Sequence, residues 1–295
     1  MHLQSIMIKR IIRRLNKEFA KLFFLDQWVI MIAPRTEPET FQWSASRPIV
    51  PPPNRYWADP FVVQRDDRYY VFIEEKIYAR GRGHIACLNL DVEGNLLSTQ
   101  AVLERPYHLS YPFLFEHKGE LYMLPETAEN RTLELYRCAR FPDRWEYVQT
   151  LMQKIYAVDA TLLEHAGKWW LFANIKEGEN ASSLDRLFLF YADSPLTKAW
   201  TPHPQNPVVN GIKSSRPAGR ILARTDGLIR PSQDSSRRYG YALNFNRITK
   251  LSTTAYEETR IARIAPPRRS KVLAVHTYSE AGELSIVDAV VRRRK

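Results

Sequence analysis

An all-β, five-bladed β-propeller is the fold class the sequence predicts, and two observations carry that prediction. From residue 55 onward the helical period disappears, and short β-rich runs punctuated by Gly, Asp and Pro take over. Within those runs one motif recurs: WADPFVVQRDDRYYVFIEE (57–75), SYPFLFEHKGELYMLPET (110–127), VDATLLEHAGKWWLFAN (158–174), a weaker SRPAGRILARTDGLIRPSQD (215–234), and VHTYSEAGELSIVDAV (275–290). Each of the first three copies has a polar residue, then Pro or Ala, an apolar strand, a tight turn and an aromatic-rich return strand. The anchors Pro60, Pro112, Ala160 and Pro217 lie 52, 48 and 57 residues apart. A period near 50 fits blades of four antiparallel strands, and five units fill residues 40–290. The rival is a β-sandwich with coincidental repeats. The run WVIMIA (28–33) is expected to join the last blade and close the ring, leaving no open sheet edge. The division expected is a basic amphipathic leader over 1–27 and a propeller over 28–295.

The leader comes first in the chain. Ile8, Ile11, Ile12, Leu15, Phe19, Leu22 and Phe23 recur at helical spacing, with Arg10, Arg13, Arg14, Lys17 and Lys21 largely on the other face. Charges interrupt every apolar run, so it does not read as a signal peptide, and no stretch is long enough to span a bilayer. Two readings stand: a helix docked on the body or partly disordered, or a helix lying on an anionic membrane surface through residues 1–25. Either way a cytoplasmic protein is expected, peripheral on the inner face of the cell membrane in the second reading.

Composition narrows the class. The 295 residues are 44% hydrophobic and 12% aromatic, enough for a real core, and disordered or collagen-like classes are excluded. Cys87 and Cys138 lack metal-site spacing and read as apolar fillers. A net charge of +11 invites a nucleic-acid reading, but residues 1–25 supply +5 and Arg292 to Lys295 supply +4, leaving +2 for the body. No nucleic-acid partner is expected.

In a propeller the first strand of each blade lines the central channel, and its starting residues gather at one mouth. Those residues are Asp59, Tyr111, Asp159 and Arg216, each preceding its anchor. The hairpin returns to the same mouth about fourteen positions after each anchor, placing Glu74, Glu126, Asn174 and Gln233 nearby. One such residue alone is ordinary strand-end chemistry, whereas four at matching positions favour a convergent site. His108 and His276, in PYHLSYP and AVHTYS, sit next to strand starts, where each could act as a base, bind a hydroxyl or be structural. Tyr56, Trp57, Tyr107 and Tyr111 could stack on a sugar ring.

The stretch 213–250 holds nine Lys/Arg against Asp226 and Asp234. Arg216, Arg220, Arg230 and Arg247 read either as an anion site, since the guanidinium fork suits phosphate or carboxylate, or as a solvated basic face. Dinucleotide, P-loop, HExxH, GxSxG and Asp-x-Asp signatures are missing, so no cofactor and no metal site are predicted.

The ADP at 58–60 and VDATLLEHAGKWWLF at 158–172 resemble first- and third-blade signatures of five-bladed glycoside hydrolases such as family 43. That resemblance implies a base or nucleophile at Asp59 and an orienting carboxylate at Asp159. Those hydrolases carry their acid as a Glu two residues before the blade-four Pro, where this chain has Ser215; Glu126 is the substitute from another blade. RYWADPF, ERPYHLSYPF, LPETAENRTLELYRC, RPAGR, RPSQD, ALNFNRI and HTYS are similar to the N-terminal propeller domain family of plant glucosamine inositolphosphorylceramide transferases, including stand-alone bacterial forms. The resemblance implies a glycan-active propeller.

The expected function is a glycosyltransferase using a phosphate-bearing sugar in cell-surface polysaccharide or glycolipid assembly, with a partner enzyme of that assembly possible. A non-catalytic glycan-binding or partner-docking propeller and a glycoside hydrolase are the alternatives. Asp59, Asp159, Glu126 and His108 are the expected catalytic residues. Tyr111, Arg131, Arg216, Arg220, Arg230, Gln233, Asn244, Arg247, His276 and Glu74 are the expected substrate-binding residues.

Overall fold

The structure, a computed structural model, describes residues 23–36 and 39–294. The leader expected over 1–27 thus lies almost wholly outside the described residues. Among the described residues no helix is long and apolar enough to cross a membrane.

The chain forms five antiparallel sheets. It opens with β1 (Phe24–Pro34) and β2 (Arg47–Ile49). Blade 1 is β3 (Arg55–Arg65), β4 (Arg68–Ile77), β5 (Gly83–Leu90) and β6 (Leu96–Leu103). Blade 2 is β7 (Ser110–His117), β8 (Glu120–Glu126), β9 (Thr132–Arg140) and β10 (Arg144–Gln153). Blade 3 is β11 (Ala157–His165), β12 (Lys168–Ile175) and β13 (Arg186–Ala192), with the short β14 (Thr201–Pro202) and β15 (Val209–Asn210) sharing its outer edge. Blade 4 is β16 (Leu222–Arg224), β17 (Gly227–Asp234), β18 (Ala242–Leu251) and β19 (Tyr256–Ile264). In blade 5, β20 (Val272–Ala281) and β21 (Leu284–Arg294) are completed by β1 and β2. Phe24 to Pro34 pair with Arg294 to Leu284, so the expected ring closure by residues 28–33 is what the structure shows.

The recurring motif is the inner hairpin of each blade. Its far-end turns in blades 1–3 are Asp66-Asp67, Lys118-Gly119 and Ala166-Gly167, each with both residues at positive φ. That backbone twist matches the twist of the flanking strands, which is why two-residue loops suffice. At the mouth end of blades 1–3 the ladder breaks in the same way, skipping residues between Ala58 and Phe61, Ser110 and Phe113, and Val158 and Thr161. Asp59, Tyr111 and Asp159 occupy these bulges with φ of 52°, 43° and 52°. A bulge residue is excused from the ladder, so proline costs nothing there, which accounts for the anchors Pro60 and Pro112. Left-handed non-glycine residues cost on the order of 1–3 kcal/mol each and persist only where the surroundings hold them.

Apolar clusters fill the spaces between blades. Phe61, Phe113, Leu124 and Leu171 belong to the one joining blades 1–3, and Phe245, Tyr278 and Val287 to the one joining blades 4 and 5. Burying each such side chain contributes roughly 1.5–3 kcal/mol, and the rigid packing that results positions the mouth.

Candidate functional site

The three bulges explain the mouth. Turning the backbone at Asp59, Tyr111 and Asp159 frees their N–H groups, and each is taken by a carboxylate of the preceding blade. Asp59 N–H donates to Asp288 Oδ2 (2.9 Å), Tyr111 N–H to Asp59 Oδ2 (3.2 Å) and Asp159 N–H to Glu126 Oε2 (3.4 Å). The return strands arrive in the matching register, with Ala58 opposite Glu74, Ser110 opposite Glu126 and Val158 opposite Asn174. Repeating polar residues therefore converge on one opening.

Asp159 is the most tightly held of them. Arg216 donates through Nε (2.5 Å) and Nη2 (3.2 Å) to its two oxygens, and Gln233 Nε2 adds a third bond at 2.9 Å. Glu126 Oε2 stands 3.9 Å from Arg216 Nη2. Burial, then the Asp159 charge, raises the Glu126 carboxyl well above the usual range, against the pull of Arg216. Asp59 is 5% exposed; burial pushes its carboxyl up to about 7, His276 opposes, and the carboxylates of Asp159, Glu74 and Asp288 reinforce. Thr277 Oγ1 donates to Asp59 Oδ1 at 2.9 Å.

His276 stands between two acids, with Nε2 3.6 Å from Asp59 Oδ1 and Nδ1 2.6 Å from Asp288 Oδ2. The second contact is out of line with the ring N–H, making it an ion pair without an aligned hydrogen bond. Burial disfavours its charge, but Asp288 and Asp59 outweigh that and lift His276 to about 9. Asp59, His276 and Asp288 are the one set among the described residues that could hold a metal ion, their ligand atoms lying within 4.8 Å of one another. With the imidazole protonated, the ring itself serves as the cation between the carboxylates.

One side of the opening is aromatic. Trp28 stacks on His276 with centroids 4.1 Å apart, and Tyr239 meets the same ring edge-on at 5.3 Å. The Arg216 guanidinium lies 5.2 Å from the Tyr239 centroid. Tyr239 is crowded by neighbours that raise its phenol well above the ordinary value, burial foremost, yet it remains 44% exposed, as a side chain standing in a concave mouth does. Below the opening the channel is crossed by side chains. The Tyr111 hydroxyl bonds Thr161 Oγ1 (2.9 Å) and accepts from Gly219 N–H (2.8 Å), and Arg220 reaches over Phe113 to Leu114 O (2.6 Å). These ties join blades 2 and 4 across the channel below the mouth.

The structure thus gathers Asp59, Glu126, Asp159, Arg216, Gln233 and His276 at one mouth. Glu74 and His108 form a neighbouring pair. Tyr56 Oη donates to Glu74 Oε1 (2.7 Å), His108 Nε2 faces the same oxygen (3.2 Å), and Gly83 N–H occupies His108 Nδ1 (2.9 Å). Both ring nitrogens are engaged, which leaves His108 no free lone pair to act as a base. The remaining arginines do not assemble into one anion site. Arg230 is buried in a bidentate pair with Glu258 (2.6 and 2.8 Å), Arg247 pairs with Asp226 at the far end, and Arg220 lies down the channel. Asn244 donates to Lys213 O behind the inner strands, and Arg131 lines a separate cavity of about 640 Å³ between blades 2 and 3. Trp57 and Tyr111 are core residues, Trp57 donating to Glu75, so neither offers a stacking face.

Asp288, Thr277, Tyr239 and Trp28 were not singled out in the sequence. The fifth motif copy held the signal for two of them: its bulge falls between Val275 and Tyr278, and its return strand brings Asp288 back. Tyr239 and Trp28 come from a loop and from β1, outside the repeat.

The comparisons with known proteins agree with this architecture. The chain is 34% identical over 212 residues to glucosamine inositolphosphorylceramide transferase 1 of Arabidopsis thaliana, and equally so to that of Oryza sativa subsp. japonica. Those residues are 71% of this chain and 28% of each relative, so the chain matches little more than a quarter of their length. Among solved structures, a family 117 glycoside hydrolase of Zobellia galactanivorans superposes with a TM-score of 0.57 at 10% identity, covering 90% of this chain and 91% of that one. The α-L-arabinanase of Cellvibrio cellulosa gives 0.56 at 15% identity, covering 81% and 90%. At such identities these likenesses show the fold alone. Residues 43–272 match the family described as "Glucosamine inositolphosphorylceramide transferase 1, N-terminal", and the chain belongs to that family.

Proposed function

We propose that the mouth binds a glycan and moves protons at a glycosidic oxygen, transferring a sugar to an acceptor hydroxyl. The observation that carries this reading is the pair of buried acids, Glu126 and Asp59, both raised in proton affinity, flanking an Asp159 carboxylate clamped by Arg216. Splitting carboxyl groups between a protonated and a fixed, hydrogen-bonded state is what acid–base chemistry on an acetal requires. In this reading Glu126 protonates the departing oxygen, Asp59 takes the proton of the incoming hydroxyl, and Asp159 with Arg216 positions the sugar. Tyr239 supplies the stacking face. The relatives' printed name, a glucosamine-transferring enzyme, supports transfer over hydrolysis. The expected phosphate on the sugar loses most of the arginines it rested on, because Arg216, Arg230 and Arg247 are committed to Asp159, Glu258 and Asp226.

A second reading, a non-catalytic glycan-binding module, is favoured by one fact: Asp59 and Asp159 each already hold several internal hydrogen bonds. One experiment separates the two. The protein is incubated with nucleotide-sugar and oligosaccharide panels, and transfer and release are followed by mass spectrometry, with binding measured calorimetrically. Turnover lost in Glu126→Gln and Asp59→Asn with binding retained supports catalysis. Binding without turnover on every panel supports the module, and neither binding nor turnover sinks both.

A further inference from the structure

The near-neutral body conceals a local concentration of unpaired cations at the mouth end of blades 4 and 5. At the far end, four turn cations are paired, Arg65 with Glu116, Arg140 with Asp143, Lys168 with Asp193 and Arg247 with Asp226, while Arg68, Lys118 and Lys198 stand exposed and scattered over blades 1, 2 and 3. At the mouth end of blades 4 and 5, Arg263 pairs with Asp234 and Arg292 with Asp26, but a further set of cations stays unpaired. The β17–β18 loop carries Arg237 and Arg238, the β19–β20 loop carries Arg268, Arg269 and Lys271, and β21 ends on Arg294. All six are exposed, and among the described residues none has a carboxylate partner. The rim is continuous: Val275 N–H bonds Gly240 O, and Arg292 N–H bonds Lys271 O. It also borders the site, because Tyr239, in the same loop as Arg237 and Arg238, stands over His276.

Beside this rim runs an apolar groove of about 470 Å³, walled by Val29, Met31, Val50, Val272 and Val291 and edged by Lys271 and Arg292 to Arg294. Phe24, opposite Arg294 in the ladder, and Val50 are exposed next to it. A nucleic-acid backbone has no use for such a groove. Cations flanking apolar surface instead match an amphiphile, with anionic headgroups against the arginines and hydrocarbon against the valines.

We propose that the mouth end of blades 4 and 5 docks on an anionic phospholipid surface, so that the mouth opens toward the membrane. Each Lys or Arg near such a surface contributes about 1 kcal/mol, so six set down together hold the protein firmly at low salt.

The test uses the full chain and sedimentation with vesicles of phosphatidylcholine containing phosphatidylglycerol, against phosphatidylcholine alone. Arg268→Ala, Arg269→Ala and Lys271→Ala together should weaken binding to the anionic vesicles roughly 100-fold, by three contributions of about 1 kcal/mol. Arg68→Ala, Lys118→Ala and Lys198→Ala together, at the far end, should leave it unchanged. Calorimetry with a soluble oligosaccharide on the same variants reads the sugar site separately and should not move. Equal loss in both triple variants, no loss in either, or equal binding to phosphatidylcholine alone overturns the proposal. So does binding to duplex DNA in place of vesicles.

Discussion

The backbone N–H of Asp59 donates to the carboxylate of Asp288, 229 residues away, at 2.9 Å. This bond ties the first inner strand to the last blade and sets the turn that aims Asp59 into the mouth. Asp288 also accepts from the N–H groups of His276 (3.0 Å) and Thr277 (2.9 Å) while facing the His276 ring. One fully buried carboxylate therefore closes the ring and organises the site.

Replacing Asp288 by Ala leaves three buried N–H groups without an acceptor and the imidazolium without its nearer counter-charge. Stability should fall by about 3–5 kcal/mol, the range seen when one partner of a buried ion pair is removed. Asp288→Asn keeps an acceptor oxygen and should cost less. Urea unfolding followed by fluorescence measures both, and a cost below about 1 kcal/mol for the alanine variant would show that Asp288 does not hold the closure.

The raised proton affinity of His276 has a definite sign in stability. A histidine that titrates near 6.5 unfolded and near 9 folded stabilises fully below pH 6.5, and that contribution is lost as the pH rises through 9. Asp59, raised to about 7, acts in the same direction over a lower window. The free energy of unfolding, read by urea titration, should thus decline between pH 6.5 and 9 by on the order of 1–3 kcal/mol. The decline should flatten in His276→Gln, and a variant that keeps the full slope would assign it elsewhere.

The hydroxyl of Tyr111 is the bridge across the channel. Tyr111→Phe preserves the ring against Phe61, 4.9 Å between centroids, but strips the buried Gly219 N–H of its acceptor. The expected cost is about 1–3 kcal/mol, the desolvation of a stranded amide. Hydrogen exchange at Gly219 should accelerate with it, and an unchanged exchange rate would contradict the role.

The inner hairpins were legible because a bulge imposes its own residue types. Pro60 and Pro112 stand where no ladder bond is made, and Asp66-Asp67, Lys118-Gly119 and Ala166-Gly167 mark the opposite turns. Blade 4 blurred because its inner strand is broken, with Pro217 opposite Ser232 as an isolated bridge before β16 begins. Arginine spacing alone could not separate Arg216 from Arg230. Only the structure reveals Glu258, 28 residues after Arg230 on an outer strand, as the carboxylate that consumes the latter. Tyr239 and Trp28 carry no periodic signal, since a loop and β1 deliver them to the mouth.

Arg216 and Asp159, from blades 4 and 3, form the bidentate pair at the centre of the mouth, and both side chains are nearly or fully buried. Asp159→Ala should destabilise by about 3–5 kcal/mol, because the guanidinium keeps only the more distant Glu126 as counter-charge. Arg216→Met should cost a comparable amount, leaving the Asp159 carboxylate buried without its cation. Combining the two removes both stranded charges, and the double variant should be less destabilised than the sum of the singles by about 2 kcal/mol or more. Additivity in urea unfolding would mean the pair is not coupled. In the same cycle, Arg216→Met should raise the pH at which Glu126 loses its proton, since Arg216 is the cation that lowers it. Carboxyl chemical shifts followed by NMR would register that movement, and a Glu126 titration left in place would show that Arg216 serves Asp159 alone.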